Sequence, residues 1–340
     1  MRKLKKILMG ALVLIALVWL YFHMSTRGAS TFILIDQAIL NQLNQTNSTA
    51  TVPQKILFAS TDWPIWNISY DQIDPITIVD NPEKDYLLFV FPNETRAIKR
   101  FPTNSSVIQL KNGATVELLI PSNVNEFMWR WNRGRFLECH KEVVNGRKST
   151  YQRISLSFIK RMSEFQDFLV KHNATAFLLF GTLLGWRREC SIIPHTSDID
   201  FGMFPSEHSD ALIEDLSSTY SVIWYLGKPE MSFEMSFYVD GVNVDLFYLY
   251  ERENGTYTGG YRVPQRQRIQ FNYPKIQGVC AVDLLDHLMF VPCNVDEFVE
   301  ADYGKNWSYD KNKFVWDKDP LNIEEHEFYS EEEWQKVFKK

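Results

Sequence analysis

Three aspartates and a glycine-threonine bend carry the chemistry this sequence could do. Asp198 and Asp200 stand one residue apart in "SDIDFGMF", with Ile199 and Phe201 in the alternate places. In an extended strand that alternation puts both carboxylates on one face and both apolar residues on the other. Two carboxylates held so close repel each other unless a cation lies between them. Hard divalent ions, Mg²⁺ or Mn²⁺, accept such oxygen ligands and bring substrate phosphates as further ones. A third carboxylate, Asp245, shares a face with Asn243 and Phe247 in "VNVDLF", while Val242, Val244 and Leu246 line the other. If the two strands are neighbours, Asp245 completes a three-carboxylate cluster with Asp198 and Asp200. Asp240 sits at an Asp-Gly hairpin apex and needs no chemistry to explain it. The other D-x-D, Asp317 and Asp319 in "VWDKDPLN", reads as a solvated turn.

Upstream, "FGTLLGWRREC" supplies the means to hold an anion. Gly181 lets backbone amides approach a phosphate, the Thr182 hydroxyl adds a donor, and Arg187 and Arg188 offer guanidinium groups that suit phosphate oxygens. The bland alternative is a tight connection with both arginines in solvent. His195 reads as a positioned loop residue, because hard cations favour oxygen.

These groups need a scaffold. Ile154, Phe158, Met162, Phe165 and Leu169 recur at helical spacing, predicting a helix with one apolar face. "AFLLF" predicts a buried strand ending at Gly181, "SDIDFGMF" the next strand, and "SEHSDALIEDLSS" a short helix. "EMSFYVDGVNVDLFYLY" predicts a hairpin turning at Asp240-Gly241. "YLLFVF" and "TVELLI" read as strands of a smaller mixed domain without recognisable chemistry.

The ends and the composition bound the setting. Residues 1–6 are basic, and residues 7–24 form an apolar run that at about 1.5 Å per residue spans roughly 27 Å. This predicts a single-pass anchor with a cytoplasmic N-terminus and a lumenal remainder; a cleaved signal peptide is the weaker alternative. Residues 25–54 read as a stem, 55–148 as the small domain and 149–340 as the catalytic domain. Sequons at Asn44, Asn47, Asn67, Asn93, Asn104, Asn173, Asn254 and Asn306 fit a glycosylated lumenal chain. The 4 cysteines form no C-x-x-C pair, so disulfides are expected rather than zinc, with Cys280–Cys293 the first guess. A net charge of −6 without a basic aromatic patch argues against nucleic acid as a partner.

Taken in order, "FGTLLGWRRECSIIPHTSDIDFGMF", "VNVDLF" and "DYGKNW" resemble the signature of the fukutin and LicD-type phosphotransferase family. The resemblance covers about residues 150–320 and also takes in the anchor, stem and extra N-terminal domain. It implies an α/β, nucleotidyltransferase-like mixed sheet with flanking helices. It also implies transfer of ribitol 5-phosphate, or a similar phospho-group, from a CDP-linked donor to a hydroxyl of a protein O-mannosyl glycan. Asp198 and Asp200 would then bind Mg²⁺ or Mn²⁺, with Asp245 as third ligand or as base. The enzyme would lie in the Golgi membrane or the ER, glycosylated at Asn67, Asn93, Asn104, Asn173 and Asn254, alone, as a homo-oligomer or with related transferases. Thr196-Ser197 departs from the aspartate run of many bacterial members, which bears on the donor. A lumenal DxD glycosyltransferase and an inactive scaffold of glycan-modifying complexes are the other two readings.

Overall fold

The computed structural model describes residues 31–34, 55–58, 74–91, 93–109, 115–141, 144, 151–311 and 313–340. The expected anchor at 7–24, the domain boundary at 145–150 and the sequons at Asn44, Asn47 and Asn67 lie outside the described residues. Among the described residues no helix is long and apolar enough to cross a membrane.

The chain separates into two compact units, one of Met1–Asp80, Phe89–Pro92 and Arg100–Met128, the other of Asn81–Leu88, Asn93–Lys99 and Trp129–Lys340. In the first, strands pair in the order Asp74–Asp80, Lys55–Phe58, Thr31–Leu34, Thr115–Pro121 and Thr103–Gln109. The pairs made by Thr31–Leu34 are parallel and the outer ones antiparallel.

The second unit holds the acidic residues. Its elements run α1 (Ile159–Lys171), β1 (Phe177–Leu178), α2 (Phe180–Glu189), β2 (Asp198–Met203), α3 (Asp210–Thr219), β3 (Ser221–Lys228), β4 (Met231–Val239) and β5 (Val242–Arg252). Then come β6 (Gly255–Arg262), β7 (Gln267–Tyr273), β8 (Val279–Leu284), β9 (His287–Pro292), α4 (Val295–Tyr303), β10 (Ile323–Phe328), α5 (Glu331–Val337) and β11 (Phe338–Lys339). The main sheet has the order β10-β7-β6-β5-β4-β3-β11, with β2 added parallel to β5 and β1 antiparallel to β2. A mixed sheet with flanking helices is what the family resemblance implies.

Why the chain folds this way is local. Asp240 and Gly241 both take positive φ, 45° and 83°, the requirement of a two-residue hairpin turn, so β4 and β5 meet in register from their first pair, Val239 with Val242. Asp240 itself is exposed and ion-paired with Arg161 at 2.6 Å, as a turn residue should be. The predicted helix begins with a single turn at Leu156–Phe158, where Ser155 Oγ accepts from the Ser157 amide, and continues as α1. Its apolar stripe buries Met162, Phe165 and Leu169 completely. The Phe165 ring meets Phe201 of β2 at 5.5 Å and Phe237 of β4 at 6.0 Å. Rings of this size contribute about 1.5–3 kcal/mol each on burial. α1 thereby covers one face of the sheet and leaves the other for the acidic residues.

Buried charge ties Asn81–Leu88 and Asn93–Lys99 into this unit. Lys99 pairs with Asp167 and Asp85 and donates to Ser163, while Asp85 accepts from the Leu288 amide and contacts His287 Nδ1 at 2.9 Å. Cys280–Cys293 is disulfide-bonded as expected, and Cys139 pairs with Cys190.

Candidate active site

The alternation read in the sequence is realised. Ile199, Phe201, Met235, Phe237, Val244 and Leu246 point into the core. The residues between them, Asp198, Asp200, Glu234, Asn243, Asp245 and Phe247, line a cavity of about 740 Å³. The parallel register of β2 with β5 sets Asp198 beside Asn243 and Asp200 beside Asp245. Neighbouring strands lie about 4.8 Å apart, so Asp200 and Asp245 are adjacent through the backbone and Asp198 is one diagonal away.

The glycine-threonine bend is not a loop but the first turn of α2. β1 is only two residues long, and the helix starts at Phe180, one residue before the glycine at which the sequence places the strand's end. Phe180 has φ 45°, an unfavourable value for a bulky residue, and its ring is wedged against Phe247 at 5.1 Å and Phe271 at 4.9 Å. The first helical bond runs from the Leu183 amide to the Leu179 carbonyl. The amides before it have no partner within the helix, and a helix start of this kind attracts anions. Gly181 faces the carboxylates: a Cβ there would stand 4.0 Å from both Asp200 Oδ2 and the Tyr303 hydroxyl.

Being helical changes what the neighbours do. Gly181, Leu184 and Arg188 follow helical spacing and line the cavity together. Arg187, about 100° further round, does not: it pairs with Asp296 at 2.6 Å and stacks over the Trp307 ring at 4.7 Å. Arg188 reaches the cavity wall but is buried, bonded to Glu189 at 3.0 Å and donating to the Trp307 carbonyl at 3.2 Å. Neither guanidinium is the open phosphate clamp the sequence predicts. Thr182 is buried too, and its hydroxyl accepts from the Asp200 amide at 2.8 Å, fixing the strand that bears the carboxylates rather than facing a ligand. Thr182→Val is therefore expected to leave a buried amide unpaired, lowering stability by about 1–3 kcal/mol and activity with it. Thermal unfolding beside a transfer assay checks this; an unchanged melting temperature would remove the positioning role. His195 is exposed at the cavity mouth.

The electrostatics are one-sided. Burial, then Asp198 and Asp245, and further Glu234 and Asp302, push the Asp200 carboxyl well above the usual range. Burial, partly offset by the nearby Ser236 hydroxyl, and then the Asp198 charge raise Asp245 to about 7. Burial and then Asp245 raise Glu234 to about 8, against the indole N–H of Trp224, which donates to Glu234 Oε1 at 3.3 Å. Asp302, at the end of α4, is raised to about 7 by burial and accepts from Tyr273 at 2.9 Å and Asn322 at 2.8 Å. Among the described residues none of these five carboxylates has a basic partner within ion-pair distance. Asp245 Oδ1 is buried without any hydrogen-bond partner. The carboxylates share the cavity without closing on one point: among the described residues no three carboxylate, imidazole or thiolate groups gather at metal-coordination spacing. Buried acids short of cations, one with an orphaned oxygen, are the donor set a hard divalent ion fits.

Glu234, Asp302 and Asp310 line the cavity and escaped the sequence reading, and Asp317, read as part of a solvated turn, lies in the wall instead, paired with Arg262 at 3.2 Å. Glu234 lies in "SFEMSF", whose period-2 alternation with Phe233, Met235 and Phe237 already put it on the face opposite the core. Asp302 opens "DYGKNW", a stretch valued for its order in the chain rather than for its carboxylate.

Residues 173–294 match the family model described as LicD/FKTN/FKRP, nucleotidyltransferase domain. That stretch is a LicD-type domain. It contains Gly181, Asp198, Asp200, Glu234 and Asp245, whereas Asp302 lies just past it. Residues 21–138 match a second family model, the W02B3.4-like N-terminal domain. The chain is 28% identical to the Uncharacterized protein W02B3.4 of Caenorhabditis elegans over 326 residues, 90% of this chain and 81% of that protein. It is 29% identical to the Ribitol-5-phosphate transferase FKTN of Homo sapiens over 236 residues, 65% of this chain and 50% of that protein. The same protein of Macaca fascicularis matches equally, so the chain spans half the length of these transferases. The LicD-type match and the likeness to these transferases support a transferase role for this chain.

Proposed function

We propose that this chain is a metal-dependent phosphotransferase that moves ribitol 5-phosphate, or a similar phospho-group, from a CDP-linked donor to a hydroxyl of a protein O-mannosyl glycan. The observation that carries the reading is the pairing of Asp200 with Asp245 across two parallel strands, beside the amide-rich start of α2, in one acidic cavity. A single carboxylate pair would be weak support; the third acid on a separate strand and the LicD-type match make the set specific.

Asp198, Asp200 and Asp245 are the residues that would hold Mg²⁺ or Mn²⁺, which when bound neutralises charge on the donor's phosphate oxygens. The chain's own groups do the rest. Backbone amides around Gly181 orient the donor's phosphates. Asp245 Oδ1, lacking any other partner, accepts the proton of the attacking hydroxyl as its oxygen bonds to the phosphorus distal to the nucleoside. The bridging bond breaks and CMP leaves. Thr182 keeps Asp200 in register during this step.

The same reading places the enzyme in the Golgi membrane, or the ER, as a single-pass type II glycoprotein. Asn93, Asn173 and Asn254 are exposed and open to glycosylation, whereas Asn104 is half-buried, with its side-chain oxygen out of solvent. Mass spectrometry of a reaction containing candidate CDP-linked donors, scored for CMP release and for a phosphodiester mass gain on the acceptor, tests the function. A glycosidic product without phosphorus would make the chain a sugar transferase. Failure to bind either Mn²⁺ or any CDP-linked donor would make it a scaffold.

A further inference from the structure

Glu234 is the lining carboxylate for which the three-aspartate cluster has no task. It is 8% exposed and projects from β4, the strand next to β5, with Phe247 as its register partner and Asp245 two positions along. Of the other lining acids, Asp302 is held by Tyr273 and Asn322, and Asp317 pairs with Arg262. Glu234 instead accepts only the Trp224 indole N–H, at 3.3 Å, and has no basic partner among the described residues. Around it the cavity wall is ring and hydrocarbon: Trp224, Leu226, Phe247, Tyr261 and Phe271.

We infer that Glu234, held by Trp224, is the cavity's receptor for the hydroxyl groups of an uncharged polyol or sugar portion of the substrate, an inference that rests on the phosphotransferase reading above. A buried acid without a cation offers phosphate no positive partner, so the diphosphate belongs at the Gly181 end, where amides and the aspartate-bound cation would receive it. What a buried carboxyl group beside aromatic walls receives well is a set of hydroxyls, with the C–H face of the same molecule packed on the rings. One diagonal step along the sheet separates Glu234 from Asp245, so a hydroxyl-bearing carbon chain bound here stays within reach of the reacting phosphorus. Two parts of the substrates carry this chemistry, the transferred polyol of the donor and the acceptor sugar.

The test measures Glu234→Gln and Trp224→Phe in the intact protein, with CDP-ribitol and an O-mannosyl glycopeptide varied independently. CMP release without acceptor and the affinity for CMP in Mn²⁺ are measured in parallel. Glu234→Gln is expected to lower kcat/KM on the order of 10- to 100-fold while CMP affinity stays within twofold. If acceptor KM rises and acceptor-independent CMP release is unchanged, the ligand is the acceptor sugar; if CMP release from CDP-ribitol falls as well, it is the donor's polyol. Trp224→Phe keeps the ring, removes the N–H and is expected to show the same split more weakly, which carries the test should Glu234→Gln fail to fold. Unchanged kinetics in both variants, or loss of CMP and Mn²⁺ affinity in step with turnover, overturns the inference. A wild-type protein that forms no phosphodiester from any CDP-linked donor overturns the parent reading first, and this one with it.

Discussion

Asp200→Asn is expected to abolish transfer and to leave a protein that folds at least as well as the parent. The substitution keeps the shape of the side chain and removes its charge. Transfer is expected to fall on the order of 10³-fold or more, because the residue would touch both the cation and, through it, the phosphate whose charge must be stabilised. Stability moves the other way. Asp200 is buried near the Asp198 and Asp245 carboxylates with no basic partner among the described residues, so its ionised form costs the native state and a neutral amide relieves that. Asp198→Asn is expected to match it in activity. Paired measurements decide: product formation by mass spectrometry and thermal unfolding on the same preparations. Turnover near the wild-type rate in either variant would end the case for the aspartate cluster, and a variant that fails to fold would show these acids to be structural.

The second large effect is a stability that falls as pH rises, and that a divalent cation restores. Glu234 is raised to about 8, and Asp245 and Asp302 to about 7, from ordinary values near 4. An acid whose pKa is higher in the folded state binds more protons there than in the unfolded chain between the two values. Stability is therefore lost as pH climbs through that window, from about 4 to about 8, by roughly 1.4 kcal/mol for each unit of displacement. In the metal-free protein the melting temperature is expected to drop by at least roughly 5 °C between pH 5 and pH 8. Millimolar Mg²⁺ or Mn²⁺ at pH 8 should recover most of it, since a ligand that binds only the native state stabilises by mass action. Glu234→Gln should flatten part of the profile. A melting temperature that is level across this range, or one that ignores both cations, would contradict the electrostatic account of the cavity.

How much of this was legible before the structure depends on which forces were involved. The faces of β2 and β5 were readable because a strand's two-residue period is local: Ile199 and Val244 had to go one way and Asp200 and Asp245 the other. The turn at Asp240-Gly241 and the Cys280–Cys293 pairing were readable for the same reason, the first from turn chemistry and the second from a short loop. The arginines were not. Their direction depends on whether Gly181 opens a loop or a helix, and a run as apolar as "FLLFGTLLGW" fits either. Once the helix forms, residues 187 and 188 cannot face one cavity together. Thr182 was out of reach for another reason, since its partner lies 18 residues on and belongs to the backbone. Glu234 was visible in the alternation of "SFEMSF", but nothing local says that β4 lies beside the aspartate strands.

β5 has one further consequence. Its first half is bonded to β2 and β4, and its last residues, from Leu249, to β6. The ribbon that carries Asp245 therefore continues without a break into the strands bearing the outer wall at Tyr261 and Arg262. A residue inserted between Asp245 and Leu249 would swap inner and outer side chains in one half relative to the other, whereas the tips at 240–241 and 253–254 could be lengthened freely. Tags, labels or fused partners meant to report on the working protein belong at those tips.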